Sequence, residues 1–141
     1  MLRLVLDTNV VVAALRSSDG ASAELLRLLR LAKFRLLATP ALFLEYEEVL
    51  KRPEHILAHG LAEAQIDSFL GALATLCEPV DVHFSWRPQL RDPADEMVLE
   101  AAVNGRANAV VTFNFKDFHP ATETFGIAIL TPGDIIRRLK P

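Results

Sequence analysis

Carboxylates recur in this 141-residue chain at the points where apolar runs end. Leu2 to Leu6 reads as a strand and stops at Asp7, Thr8 and Asn9. A short apolar run bounded by polar residues is the pattern of a strand buried in an α/β sheet. In open parallel sheets, ligands bind just beyond the carboxyl ends of the strands. Asp7 therefore stands where a ligand or metal is expected. Three later segments bring more polar groups to helix starts or strand ends: Glu45, the pair Asp92 and Asp95, and the pair Asn114 and Asp117. Three or four carboxylates without a His or Cys partner suit a hard cation with oxygen ligands, Mg²⁺ or Mn²⁺. Such a cluster repels itself unless a cation is bound. The site could activate water and offset charge on a phosphoryl group. The chain has no Gly-rich phosphate loop, no G-x-S-x-G elbow and no H-E-x-x-H pair. Phosphodiester hydrolysis is the reaction this chemistry favours, and a phosphatase stays open.

Each of these residues also has a plainer explanation. Asp7 and Thr8 could simply cap the helix that follows. Glu45 has Ala41, Leu42 and Val49 as helical neighbours, so it borders the buried face, whereas Glu47 and Glu48 look solvated. It could still be a surface acid like them, since Glu is almost never buried unless paired. Asp92 has the character of an N-cap before Pro93, and Asp95 falls where a capping box puts its acid. Capping and ligand binding are compatible, because a first-turn carboxylate can also point to the sheet's ligand edge. His55, His59, His83 and His119 show no metal-ligand spacing and read as structural or surface residues.

The elements that must position these groups follow from periodicity and punctuation. Asn9 to about Arg16 reads as a short helix, Ser17 to Gly20 as a turn, and Ser22 as the cap of a helix to about Lys33. The buried stripe of that helix would be Leu25, Leu28, Leu29 and Ala32. Phe34 to Ala38 is a second strand. Thr39-Pro40 starts a helix to about Lys51, with Leu42, Tyr46, Val49 and Leu50 inward. Glu54 to His59 is a weak helix or turn. Glu63 to Leu76 is a helix with Ile66, Phe69, Leu70 and Leu73 inward, and Cys77 ends it as a small core residue. Val80 to Phe84 reads as a strand, and Trp86-Arg87-Pro88 as a loop. A helix from Asp92 stops at Gly105, and Ala101 and Ala102 let it pack closely on the sheet. Ala109 to Phe113 is a buried-type strand ending at Asn114, with Asp117 in the loop beyond. Ile127 to Leu130 is a last strand, followed by a helix from Thr131-Pro132. Strands alternating with helices indicate an α/β fold with a mainly parallel sheet.

The bulk composition agrees with one domain over residues 1–141: 51% of the residues are hydrophobic, ample for one core. The formal charge of −3 excludes a basic nucleic-acid coat, so nucleic-acid binding would need a local patch or metal ions. One cysteine, Cys77, excludes an internal disulfide framework, and a reducing cytosol is the expected compartment. The longest apolar run, Val10 to Leu15, is far short of the roughly 20 residues a membrane helix needs. Asp7 interrupts the beginning of the chain, so no signal peptide is expected. No aromatic base-stacking platform is visible. Arg87, Arg91, Arg106 and Lys116 flank the acidic segments but read equally well as solvated charges.

Four motifs occur in order: Leu4-Val5-Leu6-Asp7-Thr8-Asn9, Glu45-Tyr46-Glu47-Glu48-Val49-Leu50, Arg91-Asp92-Pro93-Ala94-Asp95-Glu96-Met97-Val98-Leu99 and Val111-Thr112-Phe113-Asn114-Phe115-Lys116-Asp117-Phe118. This set resembles the PIN-domain family. It is most similar to the toxin components of toxin–antitoxin systems, the VapC-like ribonucleases. The similarity covers nearly the whole chain, including Leu130-Thr131-Pro132. Any one motif is common, but all four in order at this length are specific. The resemblance implies a PIN-like three-layer α/β/α sandwich and a Mg²⁺- or Mn²⁺-dependent ribonuclease acting on single-stranded RNA. It also implies a cognate antitoxin partner, a homodimer and a cytoplasmic setting. By position, Asp7 is the first metal ligand, supported by Thr8 and Asn9. Glu45 is the helix-borne acid, and Asp95 is the third, with Asp92 near it. The fourth position departs from the family pattern. Asn114 stands where many relatives have Asp, while Asp117 fits relatives in which Asn is followed by an acid three residues on. The expectation is one strong metal site at Asp7 and Asp95 with Glu45, and a weaker second site that depends on Asp117. A catalytically weak binding module with the same fold is the competing reading.

Overall fold

Most of the apolar runs that read as strands pair into one sheet. The structure, a computed structural model, describes residues 1–84, 90 and 92–140, the side chains of 120–122 excepted. Among the described residues the strands are β1 (Arg3–Leu6), β2 (Arg35–Ala38), β3 (Cys77–Pro79), β4 (Ala109–Val111) and β5 (Ala128–Leu130). All pair in parallel, in the order β3-β2-β1-β4-β5. Parallel strands need crossovers, and helices supply them: α1 (Thr8–Arg16), α2 (Ala21–Arg30), α3 (Pro40–Leu50), α4 (Pro53–His59), α5 (Glu63–Leu76), α6 (Pro93–Asn104), α7 (Phe115–Phe125) and α8 (Pro132–Leu139). The result is a three-layer α/β/α sandwich.

The strand order decides where a ligand can sit. The chain starts at the central β1, runs outward through β2 to β3, then crosses back to β4 and β5. The order therefore reverses between β1 and β4, and such a switch point opens a crevice at the carboxyl ends of its two strands. Leu6 pairs with Val111 at that end. Asp7 and Thr112, the next residue of each strand, lie at the mouth of the crevice.

Core packing follows the apolar stripes. Leu4, Val5 and Leu6 are fully buried, as are Val110 and Val111. Leu42, Tyr46, Val49 and Leu50 of α3 are all buried, as their spacing predicts. Ala101 and Ala102 are fully buried, and α6 packs on β1, β2 and β4. Gly105 ends α6 so tightly that a Cβ there would lie 2.8 Å from the Ala101 carbonyl oxygen.

Several expected boundaries move. Gly20, not Ser22, is the N-cap of α2, and Ser22 is buried inside the helix. Ala32 does not extend the buried stripe. It is exposed with φ 58°, in the turn after α2 has ended. Phe69 of α5 is only half-buried, while Ile66, Leu70 and Leu73 are buried. The third strand is Cys77–Pro79 rather than Val80 to Phe84, because Leu36 to Ala38 pair with Cys77 to Pro79. Cys77 thus opens a strand instead of closing a helix. Asp117 is not in a loop: α7 starts at Phe115, although Pro120 within it makes the segment read as irregular. The loop expected at Trp86-Arg87-Pro88 lies outside the described residues, as does Arg91. No helix among the described residues is long and apolar enough to cross a membrane.

Candidate active site

Asp7 has two tasks that its position allows it to combine. As N-cap of α1, its Oδ1 accepts the Thr8 N–H at 2.8 Å. Its Oδ2 accepts the hydroxyl hydrogen of Thr112 at 2.7 Å. The side chain is almost buried, with 6% of its surface exposed. Burial raises its pKa; the Thr112 and Thr8 hydrogen bonds oppose this, and the charges of Asp117 and Asp92 add to it. Each carboxylate oxygen carries two lone-pair positions, so both keep capacity for a cation beside their present donors. The neighbouring Asn9 Oδ1 is buried with no hydrogen-bond partner among the described residues.

Asp95 sits in the first turn of α6, half-buried. The cap of that helix is provided by Asp92, whose Oδ1 accepts the Ala94 N–H at 2.9 Å. Among the described residues Asp95 accepts no hydrogen bond from the Asp92 N–H, so the expected capping box does not form. Burial pushes its pKa up to about 7, followed by repulsion from Asp7, Asp92, Asp117 and Glu96. Next to it, Glu96 is buried, and its Oε1 accepts the Leu90 N–H at 2.6 Å, tying the chain before α6 to the helix.

Glu45 approaches from α3. It is half-buried, and its pKa is raised first by desolvation and then by Glu48, with Asp92 and Asp7 also contributing against the opposing Arg52. The next residue, Tyr46, fixes its position. Tyr46 is fully buried and its hydroxyl donates to the Leu6 carbonyl at 2.5 Å, at the strand end that leads into Asp7. One bond therefore holds α3 to the end of β1.

Asp117 lies in the first turn of α7 and is exposed. Its charge nevertheless reaches Asp7 and Asp95. Asn114 is exposed, and its backbone N–H donates to Thr112 Oγ1 at 3.0 Å. Thr112 thus joins the β4 end, Asp7 and the start of α7. Beside the acids, a cleft of about 660 Å³ is lined in part by Thr8, Asn9, Glu45, Asp92 and Phe113.

The donor set fits a hard divalent cation. It contains only oxygens, its acids raise one another's pKa values, and one buried amide oxygen lacks a partner among the described residues. The acids do not form a finished cage. Among the described residues, no three His, Cys, Asp or Glu side chains are grouped closely enough to hold a metal as they stand.

A family model described as PIN domain matches residues 3–116. The chain belongs to the PIN-domain family. The fold also matches a chain in the crystal structure of VapBC2 from Rickettsia felis bound to a DNA fragment from their promoter. That match has a TM-score of 0.63 at 16% identity, covering 92% of this chain and 98% of that one. No curated protein matches the chain.

As a PIN domain, the chain carries supporting residues that its motifs do not single out. Thr112 and Tyr46 are two of them. A buried Tyr needs a hydrogen-bond partner, and a lone hydroxyl closing a buried strand is a similar signal. The sequence places Phe113 inside a strand, but β4 ends at Val111 and the Phe113 side chain is 51% exposed at the cleft. His55, expected to be structural or on the surface, also lines the cleft. His59 is structural: its Nδ1 accepts the Leu61 N–H, so its Nε2 donates to the Leu50 carbonyl. His119 lies in α7, 4.9 Å between ring centres from Phe115 and in ion-pair reach of Glu123. Burial pushes the Cys77 thiol up to about 11, in keeping with an inert structural thiol.

Proposed function

We propose that this PIN domain is a metal-dependent endoribonuclease that hydrolyses phosphodiester bonds of single-stranded RNA. The observation that carries the reading is the placement of buried Asp7 at the carboxyl end of β1, with Asp92 and Asp95 at the start of α6 and Asp117 in the first turn of α7, close enough to raise the pKa of Asp7 and Asp95. Four acids gathered at a switch point are stabilised by a cation and disfavoured without one. Asp7 and Asp95 would hold Mg²⁺ or Mn²⁺, with Glu45 on the facing helix and Asp117 at the more exposed side. A cation there would activate water and offset charge on the phosphodiester.

The protein's own groups have separable roles in this reading. Asp7 is oriented by the Thr8 N–H and the Thr112 hydroxyl, so its carboxylate does not need to reorganise when substrate arrives. Asp95, which burial pushes up to about 7 without a cation, would give up its proton on binding one, so cation binding there strengthens as pH rises. Glu45 is kept in place by the Tyr46 bond to Leu6 and can accept a proton from attacking water. Thr8, Asn9, Asp92 and Asn114 support these acids through the cap, the cleft wall and the turn after β4.

The structural likeness to a VapBC2 chain supports a toxin role with a cognate antitoxin, and a homodimer belongs to the same reading. A PIN-like module that binds without cleaving is favoured by one observation, the absence of a ready-made three-acid group among the described residues. The two readings part in a cleavage assay. Labelled single-stranded RNA incubated with Mn²⁺ is cut by the wild type and left intact by Asp7→Asn. Cleavage by a folded Asp7→Asn variant equal to that of the wild type would remove Asp7 from the chemistry.

A further inference from the structure

The cleft has two electrically different ends. Its acidic end holds Glu45 and Asp92, and its other end is lined by Arg16, Arg52 and His55. The helices set this separation. α1 begins next to Asp7 and ends at Arg16, about 13 Å along the axis at 1.5 Å per residue. On α3, Glu45 precedes Arg52 by seven positions, about 10 Å on the same scale, although α3 itself ends at Leu50. Between the ends the wall is small and apolar: Val12, Ala13 and Val49.

The two arginines are not equivalent. Arg52 is shared with Glu48 on its own helix, at 3.1 and 2.7 Å. Arg16 is exposed, and its side chain makes no ion pair or hydrogen bond among the described residues. At the acidic end Phe113 presents a half-exposed ring that has no aromatic neighbour among the described residues. Burying that ring against solvent-free apolar surface is not what the fold does with it.

Resting on the ribonuclease reading above, we propose that this cleft is the path of the RNA strand, with Arg16 holding a backbone phosphate away from the reacting one and Phe113 stacking on an unpaired base. A polyanion whose reacting phosphate lies among carboxylates needs a cation farther along, and Arg16 is placed to supply it. An aromatic ring at the rim takes a base only when that base is unpaired, so the same residue selects single strands over duplex. A protein segment in the cleft is the other possible occupant. Among the described residues, a cation with no ion pair and a ring with no aromatic neighbour stand at opposite ends, and this favours the strand.

The test is fluorescence anisotropy with a labelled single-stranded RNA oligonucleotide and its duplex, titrated across salt. The parent protein carries Asp7→Asn so that the probe stays intact. Arg16→Ala is expected to reduce the slope of log affinity against log salt by about 0.7, the release for one single-strand phosphate contact. Phe113→Ala is expected to weaken single-strand binding about fivefold or more, from lost stacking, with the salt slope and the duplex affinity unchanged. Both side chains are exposed, so the variants should fold. If the wild type cleaves RNA with Mn²⁺ but both variants bind like the parent, the strand path is wrong and the ribonuclease reading stands. If the variants bind RNA normally yet lose a co-expressed protein partner, the cleft belongs to that partner and the proposal is overturned. If the wild type cleaves no RNA, both readings fall together.

Discussion

Replacing Thr112 with valine removes one hydroxyl from a nearly solvent-free position and leaves the shape in place. Thr112 is 2% exposed; its hydroxyl donates to Asp7 Oδ2 and accepts the Asn114 N–H. Asn114 is exposed, so water can take over that N–H, and the loss falls on Asp7. A hydrogen bond to a charged group contributes about 1.5–3 kcal/mol, so the variant should lose about 2 kcal/mol when Asp7 is ionised. The sign of the pH effect follows from the same bond. It favours the ionised carboxylate and opposes the upward push of burial. Without it, the folded-state pKa of Asp7 rises further above its unfolded value. The variant is then penalised most where Asp7 must be charged, and least where it is protonated. Urea denaturation of both proteins in EDTA should give a stability difference that is largest at high pH and shrinks as pH falls through the raised folded-state pKa of Asp7. A difference that stays the same down to the acid-unfolding limit would mean that the substitution acts only through packing. No difference would mean that the hydroxyl does not support Asp7.

Tyr46→Phe should cost about 1–3 kcal/mol, because the Leu6 carbonyl loses its buried donor. Denaturation measures that loss, and RNA cleavage should fall through kcat rather than KM as Glu45 loses its anchor. Asp95 predicts an inverted pH dependence for the metal-free protein. Its folded-state pKa of about 7 lies above the ordinary value of 3.8, so the folded form binds its proton more tightly. The contribution is present at low pH and lost as pH rises toward 7. Thermal unfolding in EDTA should show this fall, Asp95→Asn should flatten it, and Mn²⁺ should raise the midpoint more at high pH than at low. Asp117→Asn should lower cleavage and leave the first Mn²⁺ binding event nearly intact in a calorimetric titration, since Asp117 is exposed at the rim of the cluster. Loss of that first event would place Asp117 in the primary site.

The elements that carry the acids are legible because local signals and burial agree there. The run before Asp7 is apolar enough to be a central strand, and Thr39-Pro40 and Asp92-Pro93 are strong helix starts with caps that form as expected. The four inward residues of α3 follow from spacing alone. Departures come where local chemistry is ambiguous. Pro120 hides a helix, and Cys77 joins a sheet through pairing with β2 that no local pattern encodes. At the site, residue types announce the acids but not their supports. Which hydroxyl reaches Asp7, or that Tyr46 spans from α3 to β1, depends on two segments meeting in space. Arg16 and Phe113 gain their interest only from the cleft they share. Arg106 and Lys116, which flank the acidic segments in sequence, do not line it.

The proposed chemistry depends on these acids forming a site for a divalent cation. Calorimetric titration of Mn²⁺ into the wild type and into the Asp7→Asn, Asp95→Asn double variant tests it most directly. The wild type should show a binding event that the folded double variant lacks. A wild type that takes up no ion, or a double variant that binds as well as the wild type, would contradict it.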